Sequence, residues 1–250
     1  MRAQITMTPS ESKRLIARGV KALPCVQKAL DKHTIIVAGG TTNAFVLEEL
    51  TGENVIPRSA YTVGIITDGK TGVSREEGRV FPFTITNGKL RPREYHWKAY
   101  IPESGPGDVF IKGGNALDHT GLAAVLASNN MGGTIGTAWG PLMQRGVNLV
   151  VPIGLEKMVP DVREAIEFMG GHPADEAIGD RASLMPMLGA KVVTEITALQ
   201  LLYNVEAKCI AAGGVGGSEG AVVLVIDGED ADIQRAMEGV RDIKGEPLVN

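Results

Sequence analysis

At 250 residues the chain can bury one large core, or a main domain and a smaller companion. Its 44% hydrophobic and 22% charged residues, net charge of -4 and pI near 5.7 describe an ordinary globular protein without the basic field that a nucleic-acid backbone requires. Cys25 and Cys209 are far apart and lack CxxC spacing, which excludes a disulfide framework and a cysteine-rich zinc site.

The first strand is expected only at about residue 34, and the chain opens on a helix start at Thr8-Pro9-Ser10-Glu11, where a hydroxyl can cap, proline fits the first turn and a carboxylate meets the positive end of the dipole. No apolar signal core precedes it, so a cytoplasmic location is expected. The helix should run to residue 22, with a second piece from Pro24 to residue 31. Residues 34–38 are β-branched and bounded by Gly39-Gly40, which predicts a strand followed by a helix over 42–50. A further strand is expected at 61–67, and Asn87-Gly88 predicts a type I′ hairpin joining 79–86 to 89–93. Its polar flank, with Tyr95, His96 and Trp97, offers a lid or a subunit contact. Strands are expected at 108–111 and 148–153, and a helix at 162–169.

Residues 120–144 carry no charge and are long enough to cross a bilayer, but Asn129, Asn130, Pro141, Gln144 and several glycines interrupt them. Two buried helical segments joined by a glycine-rich turn are expected instead, with no membrane partner. From residue 189 the order strand 191–196, helix 197–203, strands 205–212 and 221–227, helix 230–243 and strand 247–249 is β-α-β-β-α-β. Residues 1–185 therefore read as an α/β domain with a mostly parallel, helix-flanked sheet, and 189–250 as a small α+β, ferredoxin-like module.

Ligands of open α/β sheets bind beyond the carboxyl ends of strands, and the polar residues fall there. Gly39, Gly40, Thr41, Thr42 and Asn43 can present free helix amides and hydroxyls to an anion, although a capped βα turn would look the same. The spacing is not that of an ATP-type phosphate loop. Lys112, Gly113, Gly114 and Asn115 follow the strand at 108–111, and Lys157 is a second cation beyond 148–153. Asp68, Asp118 and His119 are candidate acid/base groups; Asp68-Gly69 is equally a turn dipeptide, and His119 equally a helix-start cap. His33, His96, His119 and His172 show no ligand spacing, so neither a metal nor another cofactor is expected. The glycines at 213–217 join two strands with no helix after them, a poor dinucleotide fingerprint and a plain hairpin loop.

Three stretches, in order, resemble the superfamily of ribose-5-phosphate isomerase, glucosamine-6-phosphate deaminase and the CoA-transferases. Gly39-Gly40-Thr41-Thr42 is similar to the phosphate loop of the isomerases and of DeoR-type sensor domains. Residues 111–117, Ile-Lys-Gly-Gly-Asn-Ala-Leu, resemble the isomerase stretch beyond its catalytic Asp-Gly. Residues 108–121, Gly140-Pro141 and 154–161 resemble the lactate-utilisation (LUD) branch. The likeness covers roughly 34–165 and implies a parallel α/β fold, a phosphorylated ligand and association into homo-oligomers.

The departures are specific. Asp68-Gly69 is followed by Lys70-Thr71 where the isomerases carry further acids, and the position of their catalytic Glu, nine residues beyond the lysine, is Gly121. No counterpart of the CoA-transferase nucleophile is present. The sequence thus supports an isomerase-like enzyme using Asp68, Asp118 or His119, a non-catalytic binder or sensor of a small anionic or phosphorylated metabolite, or an accessory subunit of the LUD type.

Overall fold

A computed structural model describes the chain except for residues 55–56, 75–76, 78–79, 81, 93–96, 171–173 and 250. The expected lid residues Tyr95 and His96, with His172, lie outside the described residues.

The protein is a mixed α/β fold about a six-stranded mixed sheet. Four strands run parallel, and each follows from a short β-branched or aliphatic run: β2 (Thr34–Val37), β7 (Val109–Ile111), β10 (Asn148–Pro152) and β12 (Lys191–Val193). The order is β12-β10-β7-β2, extended antiparallel by β5 (Phe83–Thr86) and β6 (Lys89–Leu90). The turn between β5 and β6 has Asn87 and Gly88 at φ of 50° and 71°, as a type I′ hairpin requires.

The central strands are buried on both faces, as parallel strands between helices must be. Ile35, Val37, Val109, Ile111 and Val150 point into a core made with α1 (Pro9–Ala22), α2 (Pro24–Lys32), α3 (Thr41–Thr51), α7 (Glu195–Tyr203) and α8 (Asp230–Asp242). Ile36, Phe110, Leu149 and Val151 point the other way, against Trp97 of the short α4 (Trp97–Tyr100) and Ile135, Ala138 and Leu142 of α5 (Gly133–Gln144). The start of α1 has the expected Thr8 cap and goes further, to a capping box: Thr8 Oγ1 accepts from the Glu11 amide, and Glu11 accepts from the Thr8 amide at 2.9 Å. α6 (Val162–Met169) likewise starts on an Asp161 cap and ends on Gly170 in the left-handed region.

Three expectations change. The stretch at 61–67 does not enter the main sheet: β3 (Gly64–Thr67) folds back on β4 (Lys70–Val73) as a separate hairpin. Asp68 and Gly69, at φ of 50° and 69°, make a second tight turn, so the strand's hydrogen bonds go to residues 70–73, while the free side of β2 is taken by β5. Residues 120–144 are not two helices: β9 (Ala123–Ala127) lies between β8 (Ala116–Leu117) and β11 (Ser183–Pro186) in a small antiparallel sheet, and α5 alone is helical.

The ferredoxin-like order does not form either. β12 joins the main sheet, residues 247–249 make no strand, and β13 (Glu206–Gly213) and β14 (Ala221–Asp227) are completed by β1 (Arg2–Met7) from the other end of the chain. Ile5 and Met7 of β1 and Val193 and Leu224 share one hydrophobic cluster with the helices of the main sheet. A boundary near residue 189 would cut through this core. The N-terminal helix is further tied to the C-terminal stretch by Arg14, whose guanidinium donates to Glu48 at 2.5 Å and to Glu246 at 3.0 Å. Arg58 completes the network, 2.7 Å from Glu48 and 2.8 Å from Glu246, with its guanidinium 4.1 Å over the Phe45 ring. No described helix is long and apolar enough to cross a membrane.

Candidate functional site

The parallel strands deliver their following loops to one edge of the sheet. Register pairs Val37 with Ile111 and Ile111 with Val150, so Gly39 and Gly40 after β2, Lys112 after β7 and the Gly154 turn after β10 emerge side by side. Backbone bonds fasten them: the Ala38 amide donates to the Ile111 carbonyl at 2.9 Å, and the Lys112 amide to the Val150 carbonyl at 3.0 Å. Asn43, fully buried, reaches back from α3 to donate its Nδ2 to the Ala38 carbonyl at 2.7 Å, bracing the turn that leads into the helix. Gly114 allows the next strand to pass close by. A Cβ there would stand 2.8 Å from the Ile153 side chain and 3.1 Å from the Ala124 carbonyl.

Beside this edge lies a cavity of about 700 Å³. Gly39, Gly40, Thr41, Thr42, Lys112, Gly113, Gly114, Asn115 and Lys157 all line it, so nine of the ten expected ligand-binding residues meet there. The tenth, Asn43, is behind the wall as a brace. α3 starts at Gly40 without a side-chain cap, so amides of its first turn have no intrahelical partner and face the cavity end. Thr42 is 2% exposed and its Oγ1 has no hydrogen-bond partner among the described residues. That oxygen is sealed from solvent, as are the unpartnered Asn43 Oδ1 and Thr84 Oγ1, so it lies behind the cavity surface.

Two buried lysines set the electrostatics of the cavity. Burial, and then the neighbouring Lys157 cation, pull Lys112 down to about 8. Its Nζ donates to the Gly113 carbonyl at 3.0 Å, and among the described residues no carboxylate stands within ion-pair distance. Burial and the Lys13 cation also lower Lys157, against the opposing pull of Glu156 and Glu195. Glu156 is marginal as a partner, 4.0 Å from Lys157 and 3.4 Å from Lys13. An arriving anion would relieve both lysines.

No family model, no curated protein and no solved structure matches the chain. The chemistry of the site must therefore be read from its own residues.

The three expected acid/base groups are elsewhere. Asp68 occupies the exposed tip of the β3–β4 hairpin, in the turn that the dipeptide alone would have predicted. Asp118 is buried and fully engaged, accepting from Thr120 Oγ1 at 2.6 Å and from the amides of Thr120, Leu122 and Val162 at 2.9 to 3.1 Å. Burial pushes this carboxyl up, but those hydrogen bonds outweigh it and hold it below the ordinary aspartate range. Its work is to shape the 118–122 turn and the start of α6. His119 is exposed, with Nδ1 3.3 Å from the Pro160 carbonyl oxygen. None of the three lines the cavity. No group of three metal-binding side chains occurs among the described residues.

Sequence reasoning passed over the rest of the lining and what lies behind it. The β3–β4 hairpin supplies a wall, and Ser128, Asn129 and Thr134 a polar rim. Behind Lys157, Glu195 at the start of α7 is wholly buried and accepts from the Leu155 amide at 3.0 Å; burial and the nearby Glu156 carboxylate push it up to about 7. It follows the fourth parallel strand, so the strand-end rule that selected Lys112 and Lys157 would have selected it once β12 was placed in the main sheet.

Proposed function

We propose that the protein binds a small phosphorylated or otherwise anionic metabolite at the sheet edge, and does so as a binder rather than as an isomerase. The observation that carries this reading is the meeting, in one cavity, of the uncapped start of α3 and two lysines held below their ordinary range by burial. The resemblance of Gly39-Gly40-Thr41-Thr42 to a sugar-phosphate loop agrees with it. The acid/base groups that an isomerase would need, Asp68, Asp118 and His119, lie outside the lining.

Titration calorimetry with inorganic phosphate and ribose 5-phosphate tests the reading. Both are expected to bind wild type and to lose affinity in Lys112→Ala; equal affinity of the two proteins for each anion would sink it. A second, enzymatic reading would use Lys112, which lines the cavity and which burial lowers toward neutrality. Turnover of a sugar phosphate that Lys112→Ala abolishes would establish that reading in place of simple binding.

A further inference from the structure

Lys157 belongs to a cluster of charged side chains that extends from the cavity into the protein. Ser12 and Lys13 of α1, Glu156 beside Lys157, and Glu195 at the start of α7 make it up; Glu195 is wholly buried, and Lys13 is 8% exposed. Glu156 Oε1 is 3.4 Å from Lys13 Nζ and 4.0 Å from Lys157 Nζ, while its Oε2 is buried with no hydrogen-bond partner among the described residues. That carboxylate is folded back over Gly154, where a Cβ would run into Oε2. Gly220, at the end of the glycine loop between β13 and β14, packs beside it: a Cβ there would come 3.6 Å from the Glu156 Cβ and 3.3 Å from Pro9.

Glu195 is the unmatched member. It accepts from the Leu155 amide at 3.0 Å and from the Ser12 side chain, and no cation stands within ion-pair distance of it among the described residues. The titratable groups packed about it are Lys13 from α1, Glu156 and Lys157 from the turn at 154–157, and Cys209 from β13, whose thiol is pushed up by burial and also by the Glu195 charge. Glu195 holds the amide of Leu155, two residues before Lys157, and its charge reaches that lysine. Burial lowers Lys157 and Glu156 draws it back up, while Lys13 lowers it and Glu195 raises it.

The charge of the cluster turns on one proton. With Glu195 ionised, Lys13 and Lys157 are cancelled by Glu156 and Glu195; with Glu195 protonated, one positive charge is in excess, and Lys157 is the member that lines the cavity. We propose that Glu195 is a proton-operated control on the anion site: protonated, it leaves that positive charge to hold an anion at Lys157, and ionised, it cancels the charge and lowers the affinity. By linkage a bound anion must tighten the hold of Glu195 on its proton, so binding takes up protons. This rests on the proposed anion site and adds its regulation.

Sulfate keeps both its charges through the neutral range, so calorimetry with sulfate on the full chain reads the titration of the protein alone. Between about pH 5.5 and about 7.5, mostly below the range in which Lys112 gives up its proton, wild-type affinity should fall about threefold or more, the effect of one nearby charge under strong screening. Glu195→Gln, an uncharged isostere that keeps an acceptor for the Leu155 amide, should hold its affinity within about twofold over that range and exceed wild type at its upper end. Glu156→Gln removes the carboxylate that helps to push Glu195 up, and should move the midpoint of the fall to lower pH. Wild type should also take up protons on binding sulfate at about pH 6.5, read from the heats in two buffers of different ionisation enthalpy. Sulfate that binds wild type with no fall or no proton uptake overturns this inference and leaves the anion site standing, as does an unchanged fall in Glu195→Gln or an unmoved midpoint in Glu156→Gln. Failure of both sulfate and phosphate to bind at any pH overturns the anion site and this inference together.

Discussion

Two groups of shielded cations in this protein have opposite surroundings. Arg14 and Arg58, with side chains 12% and 18% exposed, are matched by Glu48 and Glu246, and the four knit α1, α3 and the C-terminal stretch. Lys112 and Lys157 lie toward the other end of α3: Lys112 has no carboxylate within ion-pair distance among the described residues, and Lys157 has Glu156 at 4.0 Å and the pull of Glu195. Matching makes the first group part of the fold. The second is only partly matched, and the proposed anion site rests on that difference.

The contrast can be broken in order of expected effect. Glu48→Ala leaves Arg14 with Glu49 and Glu246 and Arg58 with Glu246, and should lower stability by about 3 kcal/mol, from two lost charge-assisted pairings at about 1.5 kcal/mol each; urea denaturation giving a loss below about 1 kcal/mol would show the network to be decorative. Lys112→Ala should weaken phosphate binding by about 1.5 to 3 kcal/mol, the range for a hydrogen bond to a charged group, without lowering the stability of the ligand-free protein. A destabilised Lys112→Ala would place that lysine with the structural cations. Asp118→Asn should cost roughly 1 to 3 kcal/mol of stability, since an amide NH2 replaces an oxygen that accepts from backbone donors, and should spare phosphate affinity. Equal stability with lost binding would return Asp118 to the site.

The smallest effect is on pH. Lys112 is lowered to about 8 from 10.5, so the folded, ligand-free protein binds fewer protons than the unfolded chain between those values, and its stability contribution rises with pH across that window. Phosphate needs the protonated lysine, so affinity should fall above about pH 8, by up to about tenfold per pH unit. Glu195 has the opposite sign. Raised to about 7 from 4.5, it stabilises the fold at acid pH and loses that contribution as pH climbs from 4.5 to 7. Affinity that is flat from pH 7 to 9.5 would remove Lys112 from the binding step.

The sheet-edge end of the cavity was legible in the sequence because it obeys local rules: a β-branched run, a pair of glycines, then a helix start, and a lysine after the neighbouring strand. Strand ends in a parallel sheet share an edge, so reading the strands placed the residues. Asp68 and Asp118 misled for the same reason. Each follows an apolar run, but the first sits in a hairpin and the second follows β8, which pairs antiparallel outside the main sheet, and direction of pairing is not written in a short strand. β9, Ala-Ala-Val-Leu-Ala, is apolar without alternation and fits a buried helix as well as a strand. β1 did carry a signal, with Ala3, Ile5 and Met7 at a spacing of two, but its partner is at the far end of the chain.

That partner has a bearing on how the protein is made. Arg2 pairs with Asp227 and Met7 with Val222, so the first strand leaves the ribosome long before the segment it must join. At about 5 to 20 residues per second, roughly 10 to 45 seconds of translation separate the two. Through that interval β1 lacks the strand it pairs with, while α1 can already pack on α3 and, once residue 203 is made, on α7. A chain interrupted shortly before residue 221 would therefore hold every residue that lines the cavity while lacking the strand that β1 pairs with.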